Sequence, residues 1–182
     1  MKKLIGLLAL LCIYANCFGQ KAKAIKPLFI DSNMPNVTIQ KIINYKDSSV
    51  NFYDLKKKLT ILDFWSIHCS DCIAQFPKEL ELQKQFGNEI QIVLVTVDPV
   101  NKTKSFIKNW ETQHHLEFNL PIIVEDTLLH QYFRGFFQPN YAWLDYEPHL
   151  MAQTNEYFLN AANIMNVLHE IDTLKAILDA DK

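Results

Sequence analysis

Apolar residues are not spread evenly along the chain. They gather in uninterrupted runs and in helical stripes, and the two patterns alternate. Leu59 to Trp65 is almost wholly apolar or β-branched, which predicts a strand covered on both faces, as a parallel or mixed sheet requires. After it Ile73, Phe76 and Leu80, with Leu82 and Phe86 beside them, recur at helical spacing until Gly87-Asn88 supplies a stop. Ile90 to Val97 is a second continuous run. Asn101 or Thr103 then offers a cap for a helix carrying Phe106, Ile107 and Trp110. Strand, helix, strand and helix in this order predict a parallel α/β unit.

The flanks extend the same sheet. Val37 to Ile43 and Ser49 to Phe52 are short β-type runs around Asn44 to Ser48, which predicts an N-terminal hairpin, and Tyr53 to Lys58 reads as a turn or short helix. Pro121 to Val124 is a candidate extension of the sheet. Asp126-Thr127 is a candidate cap for a helix through Leu128, Leu129, Tyr132 and Phe133. Tyr141 to Asp145 and Leu150 to Thr154, parted by a turn containing Pro148, predict an antiparallel hairpin. Ile164, Leu168, Ile171, Lys175 and Leu178 fall on one stripe of a last helix, with Val167, Leu174 and Ile177 expected to widen it over the sheet.

At the amino end, Met1-Lys2-Lys3 before the apolar run Leu4 to Tyr14 has the form of a secretory signal peptide, and the run is too short to span a bilayer. The expected layout is a signal peptide over 1–19 cleaved before Gln20, a linker over 20–33, and one domain over 34–182. Lipid attachment at Cys17 is the alternative, although Asn16 is bulkier than the small residue such a site wants. Without Lys2 and Lys3 the chain carries 16 basic against 20 acidic side chains, which gives nucleic-acid binding no support.

Loss of the leader also removes Cys12 and Cys17, so Cys69 and Cys72 are the thiols that remain. Their three-residue spacing at a helix start puts both side chains on one face, near the separation a disulfide needs. A bridge closing so small a loop constrains the unfolded chain little, which favours redox chemistry over stapling. Unpaired amides and the dipole at a helix start favour a thiolate, so Cys69, at the outer edge, is the expected nucleophile and Cys72 the resolving thiol. Zinc would need further ligands, and the adjacent pair His114-His115 lacks the spacing to supply them. Haem attachment is excluded because Ile73 follows Cys72.

Asp63-Phe64-Trp65, the Cys69-Ser70-Asp71-Cys72 motif, and Pro77 five residues beyond it resemble the thioredoxin family. With the short β segment Met34 to Ile39, they resemble its exported TlpA-like thiol–disulfide oxidoreductases. The resemblance covers residues 34–182 and is strongest over 59–97. His68 stands where that family commonly has Trp, Ser70-Asp71 replaces Gly-Pro, and Gln138 precedes the proline before the Tyr141 strand. The resemblance implies a central mixed sheet flanked by helices, an α/β thioredoxin-like fold with an N-terminal β-hairpin extension. It also implies that Pro139 is cis and faces the cysteines, with Gln138 and Pro139 binding the extended substrate, and that Asp63 is a buried proton acceptor for Cys72. An unpaired carboxylate inside an apolar strand is costly enough to need such a reason.

The expected function is reduction of protein disulfides in the cell envelope by Cys69, Cys72 and Asp63, without a cofactor. Thiol or disulfide proteins would be its substrates and a membrane thiol relay its electron donor. No obligate oligomer is evident. Asp71 should disfavour the thiolate and favour a reducing potential, which a protonated His68 would oppose. Two alternatives belong to other classes. One is a copper or zinc carrier using Cys69, Cys72 and a histidine. The other is a thiol peroxidase, for which the Thr and Pro placed upstream of the reactive Cys in such families are absent here.

Overall fold

A computed structural model describes residues 24–135 and 137–180; the expected leader and the start of the expected linker lie outside them. The strands are β1 (Thr38–Ile39), β2 (Ile42–Ile43), β3 (Val50–Asn51), β4 (Leu59–Phe64), β5 (Ile90–Val95), β6 (Ile122–Ile123), β7 (Asn140–Asp145) and β8 (Leu150–Thr154). The α-helices are α1 (Ser70–Ile73), α2 (Phe76–Phe86), α3 (Val100–His114), α4 (Leu129–Tyr132) and α5 (Ala161–Ala180), and a 3-10 turn covers Phe52–Leu55.

Six strands form one mixed sheet in the order β2-β6-β5-β4-β7-β8. The continuous apolar run expected of a doubly covered strand is its centre: all six residues of β4 are buried. It pairs in parallel with β5 and antiparallel with β7, with Asp63 opposite Leu94 on one side and Tyr141 on the other. The fold is thioredoxin-like, α/β with helices packed about a mixed sheet.

Side-chain alternation splits the core into two faces. Leu59, Ile61 and Trp65 of the central segment join Cys72, Phe76, Leu82, Trp110, Tyr141, Ile164 and Leu168 on one face. Leu62 and Phe64 join Met34, Phe52, Leu55, Leu129 and Phe133 on the other. Asp63, between Leu62 and Phe64, therefore shares the face of the cysteines.

Several expectations take a different form. The run from Val37 to Ile43 is two strands: β1 pairs with β3, giving the N-terminal antiparallel pair, while β2 crosses to the edge of the main sheet against β6. Polar Gln40 and Lys41 lie at the break, both exposed. Residues from Leu28 onward are held to the body, with Leu28 N donating to Tyr132 O at 2.8 Å and Asp31 N to Leu150 O at 2.8 Å. Helix α3 begins earlier than a cap at Asn101 or Thr103 would allow. Pro99 is its N-cap, Glu125 Oε1 accepts from Val100 N at 3.1 Å, and the Thr103 hydroxyl turns inward to donate to Pro99 O.

On α5, Ile164, Leu168 and Ile171 are buried as expected. Leu174, Ile177 and Leu178 are exposed, so the stripe packs on the core only as far as Ile171. Asp126 does cap α4. Its Oδ1 accepts from Leu128 N and Leu129 N at 3.1 and 3.0 Å, and its Oδ2 from His130 N at 2.9 Å.

Candidate active site

Beyond β4 the chain leaves the sheet through Trp65 and a short loop whose path is fixed from β5. Trp65 N donates to Val95 O at 3.1 Å, and Ile67 N to Asp98 Oδ2 at 2.8 Å. The Thr96 hydroxyl holds the same Asp98 oxygen at 2.8 Å, so the loop that presents the cysteines hangs on an oriented carboxylate.

Cys69 and Cys72 form a disulfide, with Cα atoms 5.3 Å apart. Cys69 is the N-cap of α1, one position before the first turn rather than on it, and Cys72 N donates to Cys69 Sγ at 3.2 Å. Helix α1 is a single turn. The chain then bends through Ala74-Gln75 into α2, near whose start Pro77 has no amide to return to Ile73 O. The expected long dipole is thus broken, and the local donor at Cys69 Sγ is the amide of Cys72. Cys69 is partly accessible while Cys72 is wholly buried, which divides the pair into an outer and an inner sulfur. His68 and Asp71 are exposed.

The Gln138–Pro139 peptide bond is cis, immediately before β7, whose first residue Asn140 is registered against Phe64 at the cysteine end of β4. Gln138 lines an open cavity of about 230 Å3 with Phe64, His130, Phe133, Arg134 and Phe137. Asn140 closes the cavity from beneath, nearly fully buried and with Oδ1 lacking a hydrogen-bond partner among the described residues.

Asp63 is completely buried and neither of its carboxylate oxygens has a hydrogen-bond partner among the described residues. Burial, with the charge of Glu79 added, holds its carboxyl well above the usual carboxylate range. Glu79 was not among the residues singled out from sequence. It is also completely buried, in α2, and its Oε1 accepts from the Tyr141 hydroxyl at 2.7 Å while Oε2 has no partner among the described residues. Burial raises its carboxyl to about 7, against the opposing pull of the Tyr141 hydrogen bond and the Lys78 charge. Burial and the two carboxylates push the Tyr141 phenol upward, so it stays a donor. A signal for Glu79 was present: it lies three residues after Phe76 and seven after Cys72, an acid on the stripe that faces the core.

No group of three or more His, Cys, Asp or Glu among the described residues is placed to hold a metal ion. His114 stacks on Trp110 and its ring nitrogen lies 2.8 Å from Trp110 O, while His115 ends α3 in the left-handed conformation.

A half-accessible cysteine bonded to a buried one at the end of a central strand, on a thioredoxin-like fold, defines a member of the thioredoxin superfamily. Residues 30–138 match the AhpC/TSA family, and the chain belongs to it. Among curated proteins it is similar to the thioredoxin-like protein YneN of Bacillus subtilis, 24% identical over 91 residues, 50% of this chain and 51% of that one. The chain spans about half the length of that relative. Among solved structures it resembles the pneumococcal exposed lipoprotein thioredoxin from Streptococcus pneumoniae, with a TM-score of 0.52 and 28% identity over 67% of this chain and 91% of that one. The thioredoxin domain of a thiol-disulfide oxidoreductase from Bacteroides vulgatus gives 0.58 and 22%, covering 79% and 97%. A yeast mitochondrial 1-Cys peroxiredoxin gives 0.59 and 18%, covering 82% and 77%.

Proposed function

We propose that this protein is a thiol–disulfide oxidoreductase that reduces protein disulfides in the cell envelope, with Cys69 as nucleophile and Cys72 as resolving thiol. The observation that carries the reading is the asymmetric disulfide, whose outer sulfur is reachable and whose inner one is sealed in the core. Reduced Cys69 attacks a substrate disulfide, one substrate sulfur leaves, and a mixed disulfide forms. Cys72 then attacks Cys69 Sγ, which releases the second substrate sulfur and closes the Cys69–Cys72 bond. The return to the dithiol takes two electrons from a dithiol donor, for which a membrane thiol relay is the proposed source.

Asp63, on the face of the sheet that carries Cys72, takes the proton of the resolving thiol. Gln138 and Pro139 offer the backbone for an extended substrate, next to a cavity with aromatic walls that accepts an apolar side chain. Placement in the envelope rests on the leader-like segment 1–19 and on the similarity to an exposed lipoprotein thioredoxin; lipid attachment at Cys17 is the variant of the same reading.

The test is reduction of insulin disulfides by purified protein with dithiothreitol. Cys69→Ser is expected to fall to the uncatalysed rate, and Cys72→Ser to accumulate a mixed disulfide through Cys69. Wild-type rates in Cys69→Ser would overturn the assignment. The second reading, a thiol peroxidase, is favoured by the AhpC/TSA family match. It predicts catalysed peroxide consumption that survives Cys72→Ser, whereas the oxidoreductase reading predicts disulfide exchange that needs both cysteines for turnover.

A further inference from the structure

Two carboxyl groups with no role in binding Cys69's substrate are enclosed beneath the cysteines. Asp63 comes from β4 and Glu79 from α2, and both are completely buried. Tyr141 of β7 stands directly across the sheet from Asp63, and its hydroxyl donates to Glu79 at 2.7 Å. Three of the four carboxylate oxygens have no hydrogen-bond partner among the described residues. Two charges in that space would repel each other in a poorly solvated core with one donor between them, whereas one charge and one proton are accommodated.

Two other ionisable groups act on the pair, with opposite signs. Lys78 precedes Glu79 on α2, is part-buried, and its charge favours the ionised form of Glu79, while its Nζ donates to Glu156 O at 3.0 Å. Glu156, in the loop after β8, adds negative charge near Lys78 and Tyr141. Among the described residues no fully buried cation accompanies the pair.

We propose that Asp63 and Glu79 act as one acid holding a single shared proton at neutral pH, that the Tyr141 hydroxyl favours the charge on Glu79 and so the proton on Asp63, and that Glu79 is thereby the positioning residue: Asp63 accepts the proton of Cys72 from the state in which the shared proton has moved to Glu79. The proposal rests on the oxidoreductase reading and on the role of Asp63 in it. In the resolving step the Cys72 Sγ–H bond breaks and its proton passes to the pair, which then holds two. The thiolate pair of electrons forms the Cys72–Cys69 bond. The Cys69–substrate bond breaks, and its electrons leave on the substrate sulfur, which is protonated by solvent. The cysteines are oxidised, the substrate is reduced, and the pair later returns the extra proton to water.

The experiment has two arms on the full chain. In the first, carboxyl carbons of the oxidised protein, labelled with 13C at aspartate and glutamate, are titrated by NMR. Asp63 and Glu79 are expected to share two macroscopic steps, and Glu79→Gln to bring the Asp63 midpoint down by about one pH unit or more. In the second, mixed-disulfide resolution is followed by stopped flow across pH, where Glu79→Gln is expected to move the rising limb to lower pH by the same interval. An unmoved Asp63 midpoint or an unmoved limb overturns the shared proton. If Glu79→Gln does not fold, Tyr141→Phe carries the test. Glu79 then loses its donor, and the first of the two steps is expected to move up from about 7; no movement overturns the proposal. Failure of the underlying reading looks different, because Asp63→Asn would then resolve the mixed disulfide at the wild-type rate whatever Glu79→Gln does.

Discussion

Asp126 and the Asp63–Glu79 pair are both buried acids in one small domain, and their environments push them in opposite directions. At Asp126 burial also opposes the charge, yet hydrogen bonds from the His130 ring and from the amides of Leu129, His130 and Leu128 outweigh it, and the carboxyl is held below its ordinary value. Among the described residues, burial at Asp63 meets no donor and at Glu79 one hydroxyl, so both carboxyls rise. Burial alone does not decide what a carboxylate is for. The count of donors aimed at it does: Asp126, with four, is held as an anion at a helix start, and the pair, with one donor among the described residues, favours keeping a proton.

Stability as a function of pH should separate the two regions most strongly. The folded protein holds the Glu79 proton more tightly than the unfolded chain, so stability falls as pH rises from the ordinary glutamate value of 4.5 to about 7. The shift is worth about 3 kcal/mol at most, by the free energy of one pKa unit. Urea denaturation at pH 5 and pH 8 should show a loss in the wild type that is smaller in Glu79→Gln, where only the raised Asp63 still contributes. A flat wild-type profile would mean that water or an unseen donor reaches Glu79.

Asp126→Ala should cost about 2 kcal/mol at pH 6, as loss of a cap with several backbone donors does. Because the Asp126 carboxyl is lowered, its contribution is present above the unfolded value of 3.8 and is lost as pH falls below it. The cost should therefore shrink in acid, opposite to the trend set by Glu79. Tyr141→Phe should cost about 1.5 kcal/mol at pH 8, where the hydroxyl meets a charged Glu79, and less at pH 5. At the small end, Ile177→Ser on the exposed tail of α5 should change stability by no more than about 0.5 kcal/mol, measured by the same titrations.

What could be read from the sequence follows the same division. Strands β4 and β5 are legible because a strand covered on both faces must be apolar throughout, and the β7–β8 hairpin because its runs are short and parted by a turn. The Asp126 cap is legible because capping is local chemistry between neighbours. The split of Val37 to Ile43 is not, since pairing of β2 with β6 is decided by a partner some eighty residues away. The exposed end of α5 is hidden for a similar reason: a stripe states which face is apolar, not how much of it finds a partner. Asp63 stood out as the acid in an apolar strand. Glu79 is less conspicuous because α2 has charged residues on most of its turns, so its place on the core-facing stripe with Phe76 stands out weakly among them.

The most direct test of the account sets Asp63→Asn against Asp126→Asn in single-turnover resolution of a mixed disulfide, followed by stopped flow with a disulfide peptide at several pH values. Asp63→Asn should leave the first attack by Cys69 largely intact and lengthen the life of the mixed disulfide by about tenfold or more, in the range of a lost general base. Asp126→Asn should resolve it at the wild-type rate. Equal resolution in all three proteins across the pH range would make Asp63 a structural carboxylate and contradict the account.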